Sequence, residues 1–170
     1  MAWIIIESAP LNIDQMINNA QEYANAMIAR GRSKESISAD LGNIQSESSI
    51  NPGRWESDNI GNLSGGFGLV QWTPATNYIN WATANGYART DPQGQIEWIA
   101  NVTGPAGQWI PTSAYPMSWD EYKVSTNSPE DLASAFLRNF ERPGDIPGTE
   151  PGRRSQARFW YDTLDWSGVG

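Results

Sequence analysis

The sequence contains no histidine and no cysteine. Without histidine, acid/base chemistry near neutral pH falls to a carboxyl group whose pKa has been moved by its surroundings. Without cysteine there are no disulfides, thiolate nucleophiles or sulfur-bound metals, and the fold is indifferent to redox compartment. Charge is scarce as well. Only 18% of residues are charged, and 11 basic side chains face 19 acidic ones, for a net charge of -8. That balance repels phosphate backbones and anionic headgroups, so neither nucleic acid nor membrane is expected as a partner. Long apolar runs are also missing. Trp3-Ile4-Ile5-Ile6 is brief, lacks a basic flank and is followed by Glu7, which fits neither a signal peptide nor a membrane span.

What remains is rich in rings and amides. Nine Trp, six Tyr and four Phe in 170 residues exceed what a core of this size requires. With so few charges, Asn, Ser, Thr and Gln must carry much of the surface. Aromatic faces stack on pyranose rings and amides satisfy hydroxyls, so the mixture suits a carbohydrate ligand, although most of the rings belong to the core. The length fits a single domain over 1–170 with its core at roughly 12–165. Trp166 to Gly170 reads as a linker to a further domain.

Apolar residues at Ile13, Met16, Ile17, Ala20, Tyr23, Ala24, Met27 and Ile28 predict a helix from Asn12 to Arg30, stopped by Gly31. Ser33 caps a second, whose stripe Ile37, Leu41, Ile44 ends at Glu47 or Ser48. Gly42 within it reads either as close approach by a neighbour or as simple tolerance. From 51 to 72 the period vanishes among glycines and asparagines, which predicts turns with one or two short strands. Further starts are Thr73-Pro74 (cap and first-turn proline), Asp91-Pro92, Ser118 to Glu121 and Ser128-Pro129. Residues 143–152 read as a surface loop, and 154–164 as a last helix.

Glu47 falls at the C-terminal end of its helix, at the edge of the buried stripe. The negative end of the helix dipole and partial burial both disfavour its carboxylate. It is therefore a candidate general acid, unless it merely caps or pairs with a loop amide. Asp58, and after it Glu56, are candidates for a second carboxylate. Glu141 and Arg142 read as a buried structural pair. The run Gly66-Phe67-Gly68-Leu69-Val70-Gln71-Trp72 lacks the third glycine and the lysine of phosphate loops. Asp58 to Leu69 fails calcium-loop spacing. No cofactor or metal is called for.

The helix ending in Glu47-Ser48, the following Asn51-Pro52, and Gly68-Leu69-Val70-Gln71 with Thr73-Pro74 together resemble the lysozyme-like superfamily, which includes goose-type lysozymes and soluble lytic transglycosylases. Gly66 to Pro74 as a whole and the late Phe140-Glu141-Arg142-Pro143 bring the chain closer still to the lysozyme domain of bacteriophage tail proteins. The resemblance covers roughly residues 12 to 165. It implies an α+β fold, predominantly helical, with a small β-hairpin region after the helix that bears the acid. It also implies that Glu47 is the general acid, that Gln71 lines the cleft, and that the substrate is the glycan strand of peptidoglycan; Trp72, beside Gln71 in the glycine-rich run, and Asn51 and Tyr78 are further candidates for substrate binding. That strand would be cut between N-acetylmuramic acid and N-acetylglucosamine at the virion tail tip, among other tail proteins, to open the wall for DNA entry. The acidic charge departs from the many basic lysozymes, and no acid matches a fixed second carboxylate. Retaining hydrolysis, inverting hydrolysis and transglycosylation therefore stay open, as do a non-catalytic glycan-binding role and a structural tail role.

Overall fold

The computed structural model describes residues 2–101 and 107–168, and seven α-helices lie among them. They are α1 (Ile13–Ile28), α2 (Lys34–Ser48), α3 (Ala75–Ala84), α4 (Pro92–Ala100), α5 (Trp119–Lys123), α6 (Pro129–Phe136) and α7 (Ile146–Thr163). The capping chemistry decides most of the boundaries. Asn12 with Gln15 and Ser118 with Glu121 form complete capping boxes, while Ser33, Asp91 and Ser128 each accept a backbone N–H from their own first turns.

α2 is the axis of the molecule. Rather than a single buried stripe, it is covered on every side from Ser36 to Ile44, with α7 and α6 packed most extensively along it. Its polar residues are tolerated because each is partnered. Asp40 accepts from Tyr23 Oη (2.7 Å), Tyr122 Oη (2.6 Å) and Arg32 Nη2 (2.8 Å), and Asn43 donates to the carbonyls of Ala39 and Ala133. Burial and the Asp40 charge push both phenols well above their ordinary value, so they remain donors. Gly42 marks a close crossing: a Cβ there would lie 2.5 Å from the carbonyl oxygen of Arg153 and 2.8 Å from the nitrogen of Ala157 in α7.

Two expectations about the elements are corrected. α7 starts at Ile146, so most of 143–152 is helix rather than loop. Asp145 caps it through Gly148 N–H and Pro147 sits in the first turn. Pro151 then forgoes one hydrogen bond inside a helix held by its packing on α2 and α6. Before α3, Pro74 occupies the cap position itself, and Thr73 Oγ1 donates to the Gln71 carbonyl instead of capping.

The hairpin after α2 is also absent among the described residues. Residues 49–74 form a looped segment with isolated antiparallel pairings of Trp55 with Phe67 and of Phe67 with Trp72. Positive φ at Ser49, Ile50, Ser57, Asp58, Gly68 and Gln71 reverses the chain every few residues, so no ladder extends. The turn is nevertheless fixed. Ser48 Oγ donates to Leu69 O (2.8 Å), Leu69 N–H donates to Gln95 Oε1 (2.8 Å), and Gln95 Nε2 holds Pro52 O. Gly68, at φ +89°, allows Gln95 and the Trp72 ring to approach within about 3 Å of where a Cβ would stand.

The N-terminal strand-like segment is sewn on by two buried asparagines. Asn19 exchanges hydrogen bonds with Ile4 N–H and O, and Asn51 Nδ2 holds Ile6 O and Ala9 O. At the other end Trp166 donates to Tyr161 O and packs against the core. The remainder of the expected linker, residues 169–170, lies outside the described residues.

Candidate active site

α2 delivers Glu47 in its last turn, with the side chain 19% exposed and Oε1 3.5 Å from Arg153 Nη2. Arg153 comes from the first half of α7, just past the segment 143–152 expected to be loop. It is buried, and its Nη1 donates to Asn43 Oδ1. The second neighbour is Glu141, at the end of a π-helical turn, Leu137–Glu141, that continues α6. Such turns displace a side chain from the helical register. Glu141 Oε1 is sealed from solvent and has no hydrogen-bond partner, while its carboxyl lies within hydrogen-bonding reach of Glu47. Burial, and then the negative charge of Glu47, push Glu141 well above the usual carboxylate range. Burial also raises Glu47, opposed by the Arg153 cation. With one nearby cation and little solvent, double ionisation would leave an uncompensated buried charge. Both carboxyls are therefore held above their usual range, and the second of them to ionise is the harder to deprotonate.

Two cavities meet at this pair. The larger, about 580 Å³, is lined by Gln71, Trp72, Thr73, Asn77, Trp98, Gln108, Glu141 and Arg142. The smaller, about 380 Å³, is lined by Glu47, Arg54, Trp55, Glu56, Gln71, Thr73 and Glu141. Gln71, Thr73 and Glu141 belong to both, so the two spaces adjoin along a groove beside the carboxyl pair, with Glu47 on the smaller side.

The sequence-expected residues divide. Gln71 lies at the junction, held at φ 54° with its amide nitrogen donating to Arg54 O and Gly68 O. Trp72 borders the larger cavity but is buried, 5% exposed, with its ring stacked on Tyr78 at 4.3 Å and near Trp98 at 5.5 Å. Tyr78 is buried and faces neither cavity, so it supports Trp72 rather than offering its own face. Asn51 is also buried, its amide engaged by Ile6, Ala9 and Gly53 N–H. It lies off the groove because its polar atoms serve the backbone. Asp58 pairs with Arg54 at 2.7 Å and lines neither cavity. Glu56 lines the smaller one, accepts from Gly66 N–H and lies close enough for its charge to raise Glu47.

Glu141 and Arg142 are not a pair. Arg142 instead directs Nη1 at the carbonyls of Gln108 and Asn139. Sequence reasoning missed Glu141 at the site, along with Arg153 and Gln95. For Glu141 a signal existed: Ala133, Leu137 and Glu141 continue one buried row at four-residue spacing, which places an acid in line with core positions.

Comparison with known proteins agrees with this architecture. Residues 18–164 match the model of the phage tail lysozyme family. The chain is 42% identical over 162 residues, 95% of its length, to Morphogenesis protein 1 of Bacillus phage B103, and spans 43% of that relative. A match over most of the helical body, groove included, leads to one conclusion: the chain belongs to the phage tail lysozyme family.

Proposed function

We propose that this chain is a peptidoglycan-degrading glycosidase in which Glu47 protonates the glycosidic oxygen between N-acetylmuramic acid and N-acetylglucosamine. The observation that carries the reading is the desolvated Glu47–Glu141 pair beside Arg153, set where two polar cavities join. A pair whose carboxyls are both pushed upward by burial favours the acid form that glycoside cleavage needs. Glu47 lines the groove and presents that proton. Glu141 holds the second site of the shared proton, and Arg153 limits how far the pair's pKa values rise. As the leaving oxygen takes the proton, both carboxyls are left ionised: Arg153 meets one negative charge and the other faces the developing oxocarbenium.

In the larger cavity the half-buried Trp98 offers apolar surface for a pyranose ring, with the buried Trp72 behind it as support, and Gln71, Asn77 and Gln108 offer amide partners for hydroxyl and N-acetyl groups. Glu56, exposed on the smaller cavity, is better placed than Asp58 to orient a water on the far side of the sugar. Membership of the phage tail lysozyme family supports a place on the virion tail, where such an enzyme would open the wall locally for DNA entry. Tethering there would substitute effective concentration for charge attraction to the wall.

Glu47→Gln is expected to keep its thermal melt while losing at least about a hundredfold in the rate of peptidoglycan clearing. In the same assay Asp58→Asn is expected to stay close to wild type and Glu56→Gln to fall between them. Retained clearing by Glu47→Gln would move the proton donor elsewhere. Mass analysis of the released fragments separates hydrolysis, which leaves reducing ends, from transglycosylation, which leaves anhydro ends lighter by one water.

A further inference from the structure

The charges around the groove are not those of a site for neutral sugar alone. Of the chain's eleven basic side chains, eight are in ion pairs. Of the other three, Lys34 lies over the Tyr161 ring and Arg154 is held by Glu130 O and Ser134 Oγ. Arg142 alone of these three lines the larger cavity. The other charged residue in that lining is Glu141, with which Arg142 forms no ion pair, its Nη1 being turned to backbone carbonyls.

The guanidinium is also fixed in place. Nη1 donates to Gln108 O at 2.6 Å and to Asn139 O at 2.7 Å, so the remaining donors have no partner among the described residues. The backbone of Arg142 is left-handed, φ 50°, and its N–H donates to Leu137 O at 2.7 Å. This left-handed cap and the two carbonyl contacts hold an exposed, half-anchored guanidinium at the cavity beside the carboxyl pair. Arginine's planar donors match a carboxylate in two-point geometry.

We infer that Arg142 binds a carboxylate carried by the muramyl residue of the substrate and so sets the register of the glycan strand against Glu47. This rests on the glycan-strand reading above. On such a strand the only anions near the scissile bond belong to the muramyl substituent. They are the lactyl carboxylate where the peptide is absent, or the first free carboxylate of the stem peptide where it is present. N-acetylglucosamine carries none. An arginine fixed on one side of the acid therefore distinguishes the two alternating sugars and admits the strand in one phase.

The test uses titration calorimetry on the full chain carrying Glu47→Gln, which prevents turnover, with and without Arg142→Gln. Three tetrasaccharides serve as ligands: chitotetraose, the alternating muramyl glycan with free lactyl groups, and the same glycan with stem peptides. Arg142→Gln is expected to weaken the muramyl ligands about tenfold or more and chitotetraose less than about twofold. Added salt is expected to weaken only the muramyl ligands. Loss confined to the lactyl or to the peptide-bearing ligand identifies which carboxylate is read. An equal loss for chitotetraose and the muramyl ligands overturns the inference while leaving the glycan reading intact. Failure of every ligand to bind the Glu47→Gln chain overturns both.

Discussion

The Glu47–Glu141 pair makes a prediction about pH. Burial raises both carboxyls, and the negative charge of the first to ionise further raises the last proton to leave. Under the proposed mechanism activity requires that last proton, so it is expected below the pair's upper apparent pKa and is lost as pH rises through it. In Glu141→Gln the shared site is gone and Glu47 titrates alone, without a neighbouring carboxylate to hold its proton. The basic limb of the pH–rate profile is then expected to move to lower pH. Stability follows the same sign. A carboxyl whose folded pKa lies above its unfolded value contributes most below the unfolded value and loses that contribution as pH rises. The melting temperature of the wild type should fall as pH climbs from the ordinary Glu range through the raised values, and Glu141→Gln should flatten that fall. An unmoved basic limb would leave Glu141 a purely structural residue. Glu47 was legible in the sequence because helix periodicity places it, and the lack of histidine makes a carboxylate the only candidate. Glu141 was not, because sequence adjacency to Arg142 suggested a pair that the π-helical turn separates.

The helices themselves were legible wherever capping residues and apolar spacing agreed, as at Asn12, Ser33, Asp91, Ser118 and Ser128. They were misread where prolines and glycines met tertiary packing. The first turns of α7 carry Pro147, Gly148, Pro151 and Gly152, a loop composition, yet they are helical because α7 lies against α2 and α6. The hairpin failed for the opposite reason. The glycines of 61–68 do not extend a strand but tighten turns that two buried side chains, Ser48 and Gln95, pin in place. The α2–α7 crossing links fold to site, because the carbonyl that approaches Gly42 belongs to Arg153, the cation beside Glu47. Gly42→Ala gains helix propensity in α2, about 1 kcal/mol. It also places a methyl 2.5 Å from a backbone oxygen that cannot rotate away, so α7 must shift. The overpacking is expected to outweigh the gain and destabilise the chain by about 1–3 kcal/mol in urea unfolding, with peptidoglycan clearing reduced as Arg153 is displaced. A variant at least as stable as wild type, with full activity, would show that the crossing yields freely.

The net charge of -8 disfavours anionic partners for the chain as a whole, but it does not fix the charge within the groove. The folded chain separates the two properties. Most cations are consumed in ion pairs outside the larger cavity, such as Arg89 with Glu7, Arg138 with Glu150 and Arg158 with Glu130, so the acidic excess belongs to the surface at large. Arg142 meanwhile faces the groove. Long-range and local electrostatics should therefore respond to salt with opposite signs. An acidic chain approaching a wall that bears anionic polymers is repelled over a Debye length, which shrinks from about 30 Å at 0.01 M to about 10 Å at 0.1 M salt. Screening that repulsion helps encounter, whereas screening Arg142 costs only part of one contact already close and partly desolvated. Clearing of intact, teichoic-acid-bearing walls should accordingly rise across that range and then level off. Clearing of walls stripped of those polymers should stay flat or fall slightly, because only the contact at Arg142 remains to be screened. Turbidity assays on the two wall preparations at matched salt steps measure both. A rise of equal size on stripped walls would place the repulsion in the glycan and peptide themselves and remove the case for a carboxylate-reading cation in the groove.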